Sequence, residues 1–318
     1  MKTTTARLTH SQALFSLMTG ICCGLICSAS HFAGAQEKKT AKPKKVLRII
    51  AFGAHPDDVE FRLAGCAAKW TALGHKVKFV SVTNGDIGHW REAGGPLAKR
   101  RTAEVHEAAR RLGIVTEVMD NHDGELMPTL ENRKKIARLI RDWDADLVFC
   151  HRPNDYHPDH RNVGLLVRDA AFMVKVPFYV PDTPPIRHRV VFFYFPDRFT
   201  APHPFRADVA VSLDDVFDKK LDAVDALVSQ VYEGGALGSA KTLKQRFADD
   251  PVKRKEFLRK SWENRDGGNA KRYREALIKW YGKERGEAVR FAEAFEVCEY
   301  GDRPSDDQIR QLFPFFGK

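Results

Sequence analysis

At 318 residues, with 43% hydrophobic and 30% charged side chains, the chain is long enough for one α/β domain with a sizeable core and an appendage. Its formal charge of +10 falls to +8 without Lys2 and Arg7, and five lysines between residues 36 and 45 supply much of the remainder. With no basic patch interleaved with aromatics, the charge does not mark a nucleic-acid binder. Beyond residue 35 there are three cysteines, Cys66, Cys150 and Cys298, whose spacing fits neither a thiolate zinc site nor a disulfide scaffold.

Lys2 and Arg7 precede the uncharged stretch ALFSLMTGICCGLICSA, and Ala33-Gly34-Ala35 offers a small-x-small cut. That order predicts a secretory signal peptide over residues 1–35, cleaved near Ala35, and an exported protein, periplasmic or extracellular. An uncleaved membrane anchor is the competing reading. None of Cys22, Cys23 or Cys27 stands in a lipoprotein pattern. Residues 36–45, QEKKTAKPKK, read as a solvated basic tether.

KVLRIIAFGA (45–54) is predicted as a buried strand and VEFRLAGCAAKWTALG (59–74) as a helix stopped by Gly74. HKVKFVSVTNG (75–85) is a second strand, followed by the glycine-rich loop NGDIGHWREAGG. Residues 97–112 read as a helix closed by Gly113, VTEVMD as a strand, 129–142 as a helix and ADLVFC (145–150) as a strand. RVVFFYF and ADVAVSL are two further strands, and about 214–296 reads as a charged helical region. The alternation predicts a Rossmann-like sheet of mostly parallel strands flanked by helices, in a single domain over 46–300 with a helical C-terminal part and a tail at 301–318.

In such sheets ligands bind beyond the carboxyl ends of the strands. HPDD (55–58) leaves the first strand there, and HRPNDYHPDHRN (151–162) leaves ADLVFC at the same edge. His55 and Asp58 can converge on one cation. A histidine of the second cluster, which holds His151, Asp155, His157, Asp159 and His160, would complete three ligands with an open fourth position, the pattern of a catalytic zinc site. Ferrous iron or cobalt suits the same donors. The cation would also let the adjacent carboxylate stay ionised beside a bound water, where a general base is needed.

AHPDDVE together with HPDH resembles the LmbE/PIG-L-type zinc-dependent N-deacetylases, which remove acetyl groups from N-acetylglucosamine-type sugars. TNGD, the Arg101–Gly113 pattern RxxExxxAxxxLG and DAVDALVSQ agree; the likeness is firm over 46–170 and loose over 208–300. It implies His55, Asp58 and His160 as metal ligands and Asp57 as general base. It implies His157 as general acid or oxyanion stabiliser and Asp159 as the residue orienting it. Arg101, Asp86, His89 and Trp90 are expected to bind the sugar, Trp90 by stacking. Zinc is the expected cofactor and an N-acetylated sugar or glycan the expected partner. No nucleic-acid partner and no membrane span beyond the leader are expected, and the oligomeric state stays open. Two departures stand out. FRLAGCAAKW is bulkier than the family's glycine-rich helix start, and Val228 stands where the family has histidine before Ser-Gln, so Ser229 and Gln230 receive no role.

Plainer readings compete. His-Pro-Asp-Asp alone is a capped helix start. His151 and Asp155 read as hydrogen-bonding support, His75, His106 and His188 as ordinary histidines, and FFYF as strand core. A metallo-β-lactamase-like site would need HxHxDH, and a dinucleotide site would need GxGxxG; neither is present. A catalytically silent sugar-binding protein of the same fold, or a zinc amidase on a non-sugar N-acyl substrate, remains as an alternative.

Overall fold

The computed structural model describes residues 45–247 and 249–317. The expected leader, and the tether up to residue 44, lie outside the described residues. The first half alternates strictly: β1 (Arg48–Gly53), α1 (Asp58–Ala72), β2 (Lys76–Ser81), α2 (Gly94–Leu112), β3 (Val115–Val118) and α3 (Leu130–Asp142). Then come β4 (Leu147–Cys150), α4 (Pro158–Met173), β5 (Val191–Tyr194) and β6 (Val209–Ser212). Six helices follow: α5 (Phe217–Asp225), α6 (Val228–Val231), α7 (Ala240–Gln245), α8 (Pro251–Arg272), α9 (Arg274–Tyr281) and α10 (Lys283–Ala288). The chain closes with β7 (Ala292–Val297) and α11 (Asp306–Leu312).

Helix ends follow local chemistry. Gly113 takes a left-handed φ of 71° to stop α2, and the Thr129 side chain accepts the Asn132 N–H to start α3. The strands order as β3-β2-β1-β4-β5-β7-β6, with β1 to β5 parallel. Strand alternation divides the core. Ile49, Ala51, Phe79, Phe149 and Phe193 face a layer that includes α1, α2 and α5, while Ile50, Phe52, Val80, Val148 and Phe192 face α3 and α4. The chain leaves β1 towards β2 and β3 on one side, then returns to β4 on the other. The topological switch point therefore lies between β1 and β4.

Two expectations fail. The region read as helical to residue 296 ends in a strand, β7, which inserts antiparallel between β5 and β6. Glu293 and Glu296 disguise it. Glu293 is buried because it accepts the Gly65 and Cys66 N–H groups at 2.9 and 2.8 Å and meets Lys220 at 3.0 Å. Of the expected tail, the described residues 301–317 pack onto the domain. A capping box from Ser305 and Gln308 starts α11, and Phe313, Phe315 and Phe316 are buried, Phe313 with its ring 5.3 Å from Trp70. Among the described residues no helix is long and apolar enough to cross a membrane.

Lys220 of α5 lies fully buried, 2.9 Å from Asp266 of α8 and 3.0 Å from Glu293 of β7. Lys220→Met leaves two carboxylates buried without their cation. It is expected to cost about 3–5 kcal/mol of stability, read from the midpoint of urea unfolding.

Candidate metal and active site

β1 ends at Gly53, where a Cβ would come within 2.7 Å of the Asp58 Cβ, so the chain can turn back sharply only with glycine there. Ala54 N–H then donates to His151 Nε2 at 3.1 Å, tying the end of β1 to the loop after β4. The turn closes with Asp57 and Asp58 N–H on the His55 carbonyl and with His55 N–H on Asp58 Oδ2 at 2.9 Å. Asp57 has φ of 155°, a conformation that costs a non-glycine residue about 1–3 kcal/mol and recurs at functional sites.

Three donor atoms meet at this point. His55 Nδ1 lies 3.3 Å from Asp58 Oδ2, His160 Nε2 lies 3.3 Å from Asp58 Oδ2, and the two imidazole nitrogens are 3.3 Å apart. Ligands about 2.0–2.1 Å from a tetrahedral zinc ion stand about 3.3 Å from one another. The triangle thus has the dimensions of three corners of such a site. His160 comes from α4, whose Gly164 lets the helix press on the His151 carbonyl: a Cβ there would sit 2.8 Å from that oxygen. Asp155 Oδ1 is 3.1 Å from His160 Nδ1 and orients the ring, as carboxylates behind metal-binding imidazoles do.

The charges around the triangle are mutually dependent. Burial works against ionisation of Asp58, yet His160 holds its carboxyl well below the usual range. Burial also opposes protonation of His160, but Asp58 and Asp155 push it up to about 9. Burial pushes His151 down to about 3, and its Nε2 is occupied by the Ala54 N–H, so it braces the strands rather than offering a ligand atom. Burial raises Asp57 to about 6, partly offset by Arg101, whose guanidinium is 3.5 Å away. Burial likewise pushes Glu60 up to about 8, so near neutrality it adds little negative charge beside the aspartate pair.

His157 caps α4: its Nδ1 accepts the Asp159 N–H at 3.2 Å. In the neutral ring the proton is therefore on Nε2, a donor available to the cavity. Burial, then His55 and His160, lower its pKa. The Asp159 carboxylate makes no hydrogen bond or ion pair with the His157 ring, although its charge works to raise that ring's pKa. It accepts the Gly124 and Leu126 N–H groups at 2.6 and 3.2 Å and stands 3.4 Å from His55 Nε2. Behind the site imidazoles, Asp155 stands on His160, and Asp123 and Asp159 stand on His55 Nε2.

The expected sugar-binding residues divide. Arg101 lines the site cavity of about 440 Å³, but it donates to the Gly85 and Pro56 carbonyls at 3.1 and 3.0 Å and faces Asp57 and Asp123. A Cβ on Gly85 or Gly88 would strike its guanidinium, which accounts for those two glycines of the loop. Asp86, His89 and Trp90 lie outside the cavity wall. Asp86 is bound to His122 at 2.7 Å and to Asp123 N–H; His89 Nε2 is 3.0 Å from Glu233; the Trp90 N–H donates to the Gly235 carbonyl. They brace loops. The cluster of His89, Glu92 and Glu233 already holds a cation, the Arg100 guanidinium.

The sequence reading missed several wall residues. Asp123 Oδ1 is 3.1 Å from His55 Nε2, and NHDGE after β3 leaves the same sheet edge, a signal that was available. Tyr156, 68% exposed, and Gln230 also line the cavity, with Ile87 and Leu237 forming an apolar rim.

The family model described as GlcNAc-PI de-N-acetylase (PIG-L) matches residues 50–171. The diacetylchitobiose deacetylase of Thermococcus kodakarensis is 31% identical over 199 residues, spanning 59% of this chain and 72% of that protein. The N,N'-diacetylchitobiose deacetylase structure from Pyrococcus horikoshii superposes with a TM-score of 0.60 at 23% identity, over 79% of this chain and 83% of that one. GalB, the 4-carboxy-2-hydroxymuconate hydratase of Pseudomonas putida KT2440, reaches 0.62 at 19% identity, over 82% of this chain and 99% of that one. At these identities the two structural likenesses establish the fold alone.

A cation held in the triangle predicts that His55→Ala and Asp58→Ala each reduce bound divalent metal from near one per chain to trace, by elemental analysis. Asp155→Asn should instead weaken metal about 10–100-fold in chelator competition while the ligand atoms remain.

Proposed function

The chain belongs to the PIG-L (LmbE-like) deacetylase family, and from that premise we propose that it removes the N-acetyl group of an amino sugar in a small glycan. Members of the family are N-deacetylases, hydrolases of amide C–N bonds. The observation that carries the proposal is the triangle of 3.3 Å edges made by His55, Asp58 and His160, with Asp57 and the His157 Nε2–H beside it. The residues of the triangle suit a divalent cation, zinc first by donor type, which when bound supplies a Lewis acid and acidifies water.

Each remaining group has a task that its surroundings support. Asp57, strained and buried against Arg101, receives the proton that water loses on attacking the acyl carbon. The cation's charge favours the ionised carboxylate there, against the burial that raises its pKa. His157 Nε2–H donates to the acyl oxygen as that atom gains negative charge. Cleavage of the C–N bond, with a proton delivered to the departing nitrogen, yields acetate and a free amine. Arg101 and Asp123 hold Asp57 and His55 in place. Tyr156 offers an exposed ring face for a sugar. The substrate class follows the curated relative, whose name specifies diacetylchitobiose. It also agrees with a cavity of about 440 Å³ that is open at its apolar rim.

Asp57→Asn should lower kcat for acetate release from N,N'-diacetylchitobiose by about 10²–10⁴-fold while leaving metal content unchanged. Full activity in that variant would remove Asp57 from the chemistry. Absence of turnover on any N-acetylated sugar, with metal bound, would remove the proposed function.

A further inference from the structure

The site cavity continues past the triangle. Phe61, Arg62, Tyr156 and Arg265 line it and also line a second cavity of about 400 Å³, so the two adjoin across these side chains. The second arm is walled by α8 and by the segment after β5, and four guanidiniums face it: Arg62, Arg198, Arg265 and Arg272. Its three carboxylates are already committed. Asp155 is 3.1 Å from His160, Asp197 accepts from Arg152 at 2.9 Å, and Glu293 meets Lys220 at 3.0 Å.

The guanidiniums are less fully paired. Among the described residues Arg198 and Arg265 make no ion pair, and Arg272 faces the uncharged hydroxyl of Tyr273. Arg62 comes no nearer than 3.8 Å to Asp58, and its buried Nε has no partner. Arg265 lies over the rings of Phe61 and Trp262, at 5.4 and 5.8 Å, which holds the charge in the cleft while the side chain stays open to solvent. Arg62 is close enough for the two like charges to repel. Asp266, Asp57 and Asp58 attract Arg265, and Asp58 attracts Arg62, so the cations left without a carboxylate partner are Arg198 and Arg272 at the outer end of the arm. An anion bound there relieves them, and guanidinium is suited to carboxylate, sulfate and phosphate oxygens.

We propose that this arm is an anion subsite, and that the substrate is an acidic N-acetylated oligosaccharide carrying its negative group on the sugar next to the acylated one. The proposal rests on the deacetylase reading above. Tyr156 stands at the junction of the two arms, where the linkage between the two sugars would pass.

The test compares kcat/KM for three disaccharides at low and high salt: N,N'-diacetylchitobiose, its 6-O-sulfated form, and glucuronic acid joined to N-acetylglucosamine. At low salt an acidic substrate should exceed the neutral one about tenfold or more, and the advantage should shrink with salt. Preference for the uronic acid or for the sulfate ester identifies which anion the arm accepts. In the double variant Arg198→Gln/Arg272→Gln, both positions being exposed, the acidic-to-neutral ratio should fall towards one. A ratio near one in the unmodified protein, or an advantage that survives in the variant, overturns the subsite. Should no substrate release acetate, the deacetylase reading has failed, and the subsite is judged by calorimetry on metal-loaded Asp57→Asn protein. Acidic ligands binding no tighter than the neutral one would overturn it there too.

Discussion

A hydrogen bond from Ala54 N–H to His151 Nε2, at 3.1 Å, joins the carboxyl ends of β1 and β4. The two strands are neighbours only because the chain changes direction between them, having laid β2 and β3 on the far side of β1 first. That switch point brings His55 and Asp58, at one strand end, against His160, about a hundred residues later in sequence. Small residues make the approach possible. Gly53 allows the tight turn and Gly164 lets α4 press onto the loop after β4. Larger side chains at either position would open the triangle, and the rest of the site takes its positions from that triangle.

The same closeness concentrates charge. Asp57, Asp58, Asp123, Asp155 and Asp159 gather around the imidazoles of His55, His151, His157 and His160 in a mostly buried volume. Their ionisation states depend on one another: Asp58 is held charged by His160, and His160 by Asp58 and Asp155. Asp57 has the least support, with burial outweighing Arg101. A cation between His55, Asp58 and His160 changes that balance in the direction a general base needs. The dimensions of the triangle suit the metal-assisted amide hydrolysis proposed for the chain.

Much of this was legible in the sequence because it is local. Strand-helix alternation, the polar clusters at two strand ends and the His-Pro-Asp-Asp spacing are short-range patterns, and the parallel sheet with its site edge follows from them. What was misread depends on contacts distant in sequence. β7 looked helical because Glu293 and Glu296 interrupt its apolar run, and only Gly65, Cys66, Lys220 and Arg152 explain how they are buried. The closing phenylalanines looked like a tail because their partners lie far off in sequence, Trp70 of α1 for Phe313 and Phe315 and Trp280 of α9 for Phe316. Asp159 and Asp155 carry the same chemical group four residues apart, and helix geometry decides which one reaches His160. His89 and Trp90 were placed at the right loop but point into its supports. Arg62 and Arg265 acquire meaning only when α1 and α8 are seen to share a cleft.

The central claim is that His55, Asp58 and His160 share one divalent cation. X-ray anomalous diffraction at the zinc edge, on crystals of metal-loaded protein, tests it directly. The account predicts a single strong peak within about 2.0–2.2 Å of His55 Nδ1, Asp58 Oδ2 and His160 Nε2, with room for a fourth ligand on the cavity side. A peak at the cluster of His89, Glu92 and Glu233, or none inside the cleft, would contradict it.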